Sequence, residues 1–383
     1  MALKCGIVGL PNVGKSTLFN CVSSGKAQSA NFPFCTIDPQ VGSTNVPDKR
    51  LEVLTEICSP KRTIPATVEI VDIAGLVKGA SHGEGLGNQF LANIRETDAI
   101  LHVLRCFDDP NIVHVDGSVD PVRDKEVVDT ELQIKDLETV ENRIKKVEKM
   151  ATTGGDKEAK KLLALLLRYK EVLLQGKSCR VVVPENAEEE EMAKGLYLLT
   201  NKPVLYVCNV DEASAASGNA YVDAVREAVA AENAGILVLA ARSEAEIAEI
   251  EDYDDRQMFL EEMGLHESGV VRLIQSAYAL LGLRTFFTAG ADECRAWTIR
   301  AGDKAPRAAG VIHTDFERGF IRAEVIKYED FVAFRADGAD GARASGDAGA
   351  RTEAAVRAAG KLSVEGKDYV VQDGDIMHFL FNV

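Results

Sequence analysis

The sequence predicts an α/β protein in which a sheet domain is interrupted by a helical hairpin and followed by a smaller strand-rich domain. Three observations carry this expectation. Short apolar runs at Cys5–Val8, Val68–Asp72, Ile100–Arg105 and Pro203–Cys208 have the length and composition of buried strands. The third and fourth runs lie roughly 95 residues apart, far more than one crossover helix and its loops need. From Arg284 onward, strand-like pieces such as Arg295–Ile299, Phe320–Val325 and Lys367–Val371 alternate with Gly, Pro and Asp turns.

The first run leads directly into Gly9-Leu10-Pro11-Asn12-Val13-Gly14-Lys15-Ser16-Thr17, and an apolar helical pattern begins at Leu18. This is the spacing of a phosphate-binding P-loop. Its glycines let successive backbone N–H groups turn inward around a β-phosphate, Lys15 neutralises the β and γ oxygens, and the Ser16 hydroxyl ligates Mg²⁺. The helix that starts here adds its positive end. Asn12 through Thr17 are therefore the expected phosphate cradle, and the sheet is expected to be of the P-loop NTPase, G-domain-like kind.

The second run ends in Asp72-Ile73-Ala74-Gly75. An Asp here holds a water on the Mg²⁺ and the glycine N–H meets the γ-phosphate, so the segment senses the third phosphate. Between the two motifs lies the loop-like stretch Asn31–Pro39, where Thr36 is the candidate second metal ligand, alongside its plain reading as an ordinary loop threonine. The fourth run ends in Asn209-Val210-Asp211-Glu212, where GTPases carry Asn-Lys-x-Asp. An Asp in the last place accepts two hydrogen bonds from guanine, and a site built that way rejects adenine. Here Glu212 is one methylene longer and Val210 has no lysine stem to lay along the base, so the guanine code is broken. Val238–Ser243 would present Ala240 and Ala241 backbone groups to the base. The residues alone leave ATP and GTP both open.

Within the long insertion, Leu137, Val140, Ile144 and Val147 recur at helical steps. Thr152–Asp156 breaks the pattern, and Leu162, Leu166, Tyr169 and Leu173 resume it. An antiparallel hairpin with coiled-coil character is expected from about Glu126 to Gln175. Two ordinary helices lying on the main body would give the same spacing. Glu188–Glu191 is read as a solvated helix end, and Val270–Leu283 as an apolar helix.

Taken together, Gly6–Asn20, Asn31–Pro39, Asp72–Phe107, Asn209–Glu212 and the C-terminal third closely resemble the Obg-related P-loop proteins, and within them the YchF or Obg-like ATPase group. The resemblance covers nearly the whole chain. It implies an ATPase, because that group carries Asn-x-x-Glu in place of the guanine motif, and it implies a ribosome or ribosomal subunit as partner in translation or stress response. It further implies a C-terminal TGS domain of β-grasp form, carried by Phe286–Gly290, His313–Arg322 and Asp373–Phe379. The expected division is then residues 1–120 with 200–282 for nucleotide binding, 121–199 for the helical insertion and 283–383 for the TGS domain. Residues 336–360, rich in Ala, Gly, Asp and Arg, look longer than the family's connection there, and their first half is read as a surface loop.

Many GTPases place a Gln after Asp-x-x-Gly to orient the attacking water, but this chain has Leu76, so slow intrinsic hydrolysis is expected. His114 is the first candidate to reach that water. The resemblance supports it, whereas composition alone favours an ordinary surface histidine. His82, among the second-switch glycines Gly79–Gly87, is the runner-up. P-loop Asn12 resembles the asparagine that helps some related NTPases hold K⁺ against the phosphates. A GTPase of the same fold, and a nucleotide-gated binding module with incidental hydrolysis, remain as alternatives.

Composition limits the other classes. The 383 residues are 46% apolar and 27% charged, the profile of a globular chain with a sizeable core. A net charge of −16 disfavours a broad electrostatic grip on nucleic acid, so DNA is not expected and any RNA contact must be local. No apolar run approaches the ~20 residues that span a membrane, and the first residues lack a signal-peptide pattern. Eight cysteines without a Cys-x-x-Cys pair fit reduced thiols and a cytoplasmic location.

Overall fold

In the computed structural model, which describes residues 3–24, 40–73, 86–153, 156–232, 234–335 and 348–382, the chain divides into two units. The first comprises Met1–Thr44 and Glu69–Leu281, and the second Asn45–Val68 and Gly282–Val383. The strands, in chain order, are β1 (Lys4–Val8), β2 (Gln40–Asn45), β3 (Arg62–Ile64), β4 (Thr67–Asp72), β5 (Ala99–Arg105), β6 (Val204–Asn209), β7 (Gly235–Leu239), β8 (Leu283–Ala289), β9 (Glu293–Arg300), β10 (Phe320–Ile326), β11 (Leu362–Glu365) and β12 (Ile376–Phe381).

The sheet of the first unit has the order β2-β4-β1-β5-β6-β7, and β4, β1, β5, β6 and β7 run parallel to one another. Every residue of β5 and β6 is buried, as expected where both faces of a parallel sheet are covered. Parallel strands aim their carboxyl ends at one edge, so the ends of β1, β4, β5, β6 and β7 converge there. That edge is where α/β sheets bind ligands.

The expected hairpin is present as helices Pro121–Thr153 and Lys157–Leu174. Asp156 caps the start of the second helix, its side chain accepting from the N–H groups of Glu158 and Ala159. Val140, Val147, Leu166, Tyr169 and Leu173 are buried between the helices, with Leu137, Ile144 and Leu162 packed against them, so the predicted spacing marks the seam. Two buried polar groups fasten the hairpin to the sheet. The Asp136 carboxylate accepts from Leu199 N, Thr200 N and the Thr200 hydroxyl at 2.7–2.8 Å. Nearer the hairpin's base, Lys125 lies 2.7 Å from Asp129 and 2.6 Å from Glu232, which also accepts from the Tyr206 hydroxyl on β6. Charges this deep are tolerated because each is paired. Beside them His102 on β5 is held neutral, its pKa pushed down to about 3 by burial and then by Lys125.

The second unit holds a sheet of order β11-β10-β12-β8-β9-β3. β8 and β9 form an antiparallel hairpin, helix Ala305–Ile312 packs on one face, and β12 returns parallel to β8 in the middle of the sheet. This is the β-grasp arrangement. Its outer strand β3 comes from residues 62–64, paired in parallel with β9, and the preceding helix Lys49–Cys58 carries Arg50, 2.8 Å from Asp373. Residues 45–68 thus belong to the second unit, a contribution that the boundary drawn at 283 does not contain. The expected strand Lys367–Val371 is replaced by a turn with one bridge, Lys304↔Val370. The cause is Asp375: its buried carboxylate accepts from the Tyr369 hydroxyl at 2.6 Å and from Gln372 N at 2.9 Å, wrapping the segment around itself.

The seven cysteines among the described residues are buried and none of them forms a disulfide, with Cys5, Cys106 and Cys208 in the core of the first unit. No described helix is long and apolar enough to cross a membrane.

Candidate functional site

The P-loop follows β1, and its shape is set by close approaches that only glycine permits. Gly9 adopts φ +153°, and a Cβ there would lie 2.5 Å from Val103 O. Gly14 adopts φ +100°, with a Cβ 2.4 Å from Asn209 Nδ2. Asn12 itself is left-handed at φ +62°, a region asparagine tolerates better than most residues. Helix Lys15–Ser24 starts at the lysine, with Leu18 N bonded to Gly14 O at 3.0 Å.

Lys15 is buried, and its ammonium donates to Leu10 O at 2.6 Å. Loss of solvent lowers its pKa from 10.5 to about 8, while Asp72 partly opposes that shift. Asp72, at the end of β4, has its carboxyl pKa raised by burial, with Lys15 and Ser16 pulling the other way. Ser16 Oγ and Asp72 Oδ2 are 3.5 Å apart, and Asp72 Oδ1 is buried with no hydrogen-bond partner among the described residues. A hydroxyl and a half-satisfied carboxylate at the mouth of a phosphate cradle are the hard oxygen donors that suit Mg²⁺.

Asn209 closes the cradle from the β6 side. Its Nδ2 donates to Val13 O at 2.9 Å, and its Oδ1 accepts from Ala241 N at 2.9 Å. One side chain thereby ties the P-loop to the segment after β7, and one Nδ2 hydrogen remains for a base. Ala241 N is committed to this clamp, and Ala240 O accepts from Glu244 N at the start of helix Ala241–Glu249, so neither group is freely displayed. Val210 is buried with its N–H on Leu239 O. Asp211 caps the short turn Glu212–Ser214 by accepting Ser214 N at 2.9 Å, while the Glu212 side chain is exposed. Val13 is buried, and Thr17 is exposed on the first turn of its helix.

The structure departs from the simplest expectation at His114. The ring is buried, with Nε2 2.7 Å from Asp124 Oδ2, and Nδ1 accepts from Asp116 N at 3.1 Å. An accepting Nδ1 places the proton on Nε2, pointing at Asp124, and leaves neither nitrogen open in this conformation. The other Asp124 oxygen is 3.1 Å from the Arg123 guanidinium. The histidine's loop nevertheless adjoins the cradle, because Asn12 Nδ2 donates to Val113 O at 3.1 Å. Arg105, at the end of β5, is the residue that sequence reasoning missed. Its buried guanidinium donates to Phe107 O, Asp109 O and Ile112 O, folding the loop that carries His114. A charged residue ending an otherwise apolar strand was its one visible signal. Thr36, Gly75, Leu76, His82 and the second-switch glycines Gly79, Gly83 and Gly85 lie outside the described residues.

Residues 4–152 match a family model described as 50S ribosome-binding GTPase, and residues 283–382 match a YchF-GTPase C-terminal model described as a protein of unknown function. The chain is 54% identical to the ribosome-binding ATPase YchF of Bacillus subtilis over all of both chains. The chain belongs to the YchF family. It is also 45% identical to Obg-like ATPase 1 of Gallus gallus, covering all of this chain and 93% of that one. A solved structure of a YchF GTPase from Schizosaccharomyces pombe aligns with a TM-score of 0.83 and 37% identity over 99% of this chain and 97% of that chain. The P-loop sheet, inserted hairpin and β-grasp unit are thus the YchF fold.

Proposed function

We propose that this chain is a Mg²⁺-dependent ATP-binding and ATP-hydrolysing switch that binds the ribosome, as the names of its relatives state for them. The observation that carries the ATP reading is the recognition corner. Val210 is buried, Asp211 uses its carboxylate as a cap, and Glu212 projects outward from a short turn, so the fixed carboxylate that pairs with guanine is missing. A GTPase of this fold would need Glu212 to turn back onto the base. Competition of ATP and GTP for the purified protein, with Lys15→Ala as the empty-site control, tests the reading; equal or tighter GTP binding overturns it.

The residues assign themselves roles. Amides of Asn12 through Thr17 and the Lys15 ammonium hold the phosphates, and Asn209 keeps the cradle in register. Ser16 and Thr36 would ligate Mg²⁺, Asp72 would hold a water on it, and Gly75 would meet the γ-phosphate. When bound, the ion neutralises charge on the β and γ oxygens. Asn12 Oδ1 is the atom that would face K⁺, its amide being oriented by Val113 O.

His114 is proposed as the group that orients the attacking water. With Nε2–H on Asp124, the nitrogen that can accept from water is Nδ1, once the single bond from Asp116 N is exchanged for one from water. Breaking that bond costs about 1 kcal/mol, a small barrier for a loop to cross when nucleotide binds. Asp124 then keeps the ring in the correct tautomer, as the buried carboxylate does in a hydrolase triad. His114→Ala and Asp124→Asn should both depress turnover while leaving ATP affinity within a factor of about two. Unchanged turnover in His114→Ala removes it from catalysis. Co-sedimentation with ribosomes in ADP and in a non-hydrolysable ATP analogue tests the switch, and identical affinities would reduce hydrolysis to an incidental activity.

A further inference from the structure

We infer that the turn Val115–Ser118 is an autoinhibitory latch on His114, with Arg123 as the positioning residue that closes it. The latch rests on the proposed role of His114 in orienting the attacking water, and it accounts for what restrains that residue. With the Nε2 proton on Asp124, the ring nitrogen left to accept from water is Nδ1, and Asp116 N fills it at 3.1 Å. The blocking donor comes from the histidine's own turn. Gly117 N donates to His114 O at 3.2 Å, so residues 114–117 close a β-turn that sets the Asp116 amide against the imidazole. Gly117 completes the turn in the left-handed region at φ +78°, where glycine carries no steric penalty.

The turn is clamped from the first turn of helix Pro121–Thr153. Arg123 donates to Ser118 O at 2.6 Å and to Ser118 Oγ at 3.1 Å, and its Nε lies 3.9 Å from the Asp116 carboxylate. The same guanidinium meets the second oxygen of Asp124 at 3.1 Å. Its own main chain is fixed, because Asp120 Oδ1 accepts Arg123 N at 3.0 Å. One planar fork thus joins both neighbours of the imidazole, the carboxylate on Nε2 and the turn that fills Nδ1. Arg105 works on the other side of the ring. It holds the carbonyls of Phe107, Asp109 and Ile112, before His114, and so places the imidazole, whereas Arg123 holds Ser118, after it, and so keeps the imidazole occupied.

The consequence is a basal rate below what the site can deliver. One hydrogen bond of ordinary net strength is a population ratio of roughly fivefold. About one molecule in six then has Nδ1 open at any moment, and turnover is reduced by that fraction, so freeing the nitrogen has a ceiling of about sixfold. Asp124 fixes the tautomer through Nε2, and the Asp116 amide is not needed for that.

The test is steady-state phosphate release by the full chain with Mg²⁺ and a range of ATP concentrations. An α-hydroxy acid at position 116, compared with the amino acid of the same side chain, turns the blocking amide into an ester without its N–H. Its kcat should rise about threefold to sixfold with KM unchanged. Gly117→Ala reaches the same end by another route. A Cβ there meets nothing within 4 Å, so the strain falls on the turn alone, and kcat should rise about twofold or more. Arg123→Lys keeps a charge for the buried Asp124 carboxylate but gives up the fork on Ser118, and should also raise kcat about twofold. Each rise should vanish in a His114→Ala background, because it passes through the imidazole. A fall or no change in kcat for the ester overturns the latch, and so does a rise that survives His114→Ala. Unchanged turnover in His114→Ala alone removes the histidine's role and the latch with it. Lost turnover in that variant, with no gain from the ester or from Gly117→Ala, overturns the latch and leaves the role of His114 standing.

Discussion

Raising the pH should weaken nucleotide binding through Lys15 before any other group in the cradle responds. Burial places its free-state pKa at about 8 against the ordinary 10.5, so the empty site holds a lysine that is half neutral near pH 8. A bound triphosphate restores the charge, because the ammonium then faces phosphate oxygens. The difference is on the order of 3 kcal/mol between the two protonation states. Above pH 8 each further unit should cost about tenfold in affinity, or about 1.4 kcal/mol, until the bound-state pKa is reached. Binding at pH 9 should take up about 0.9 proton, against about 0.1 at pH 7. Calorimetric titration of ATP in two buffers of different ionisation enthalpy reads this uptake directly. The stability of the empty protein should move the opposite way. A lysine with a depressed folded pKa binds fewer protons folded than unfolded between about pH 8 and 10.5, so its burial penalty fades as pH rises through that window. Affinity flat from pH 7.5 to 9.5 with no proton uptake at pH 9 would refute the desolvation argument.

Four further outcomes follow from the geometry. Gly14→Ala, forced into φ +100° with its Cβ 2.4 Å from Asn209 Nδ2, should cost about 1–3 kcal/mol in denaturant unfolding and at least tenfold in ATP affinity. Asn209→Ala strands Val13 O and Ala241 N, about 1–3 kcal/mol for each buried group, and should weaken ATP and GTP alike in equilibrium binding. Asp136→Ala leaves two buried N–H groups and a hydroxyl without their acceptor, and should lower stability by about 3 kcal/mol or more in thermal unfolding with little change in ATP affinity. Arg105→Lys exchanges a fork that reaches three carbonyls for a single ammonium, and should slow turnover severalfold in a steady-state assay while ATP affinity holds.

Much of the candidate nucleotide site was legible in the chain because its chemistry is local. Gly9, Gly14, Lys15 and Ser16 act through backbone conformation and spacing within one turn, and Asp72 and Asn209 each close an apolar run whose register a parallel sheet brings to the same edge. The hairpin was legible for a similar reason, since Val140, Val147, Leu166 and Tyr169 announce a helical seam by period alone. Tertiary structure decided the rest. Arg105 folds its own loop through contacts made only after β5 is buried, and the Asp124 partnership that turns His114 inward has no sequence signature beyond a carboxylate in a helix's first turn. The strand Arg62–Ile64 is three residues long, too short for any periodicity, and it is known only by its pairing with β9, far along the chain. Lys367–Val371 looked like a strand and became a turn, because the hydrogen bonds that Asp375 offers there outweigh local β propensity. Period and motif describe what a segment can do next to its neighbours in sequence, whereas pairing across the chain is settled by which buried polar groups find partners when the whole core closes.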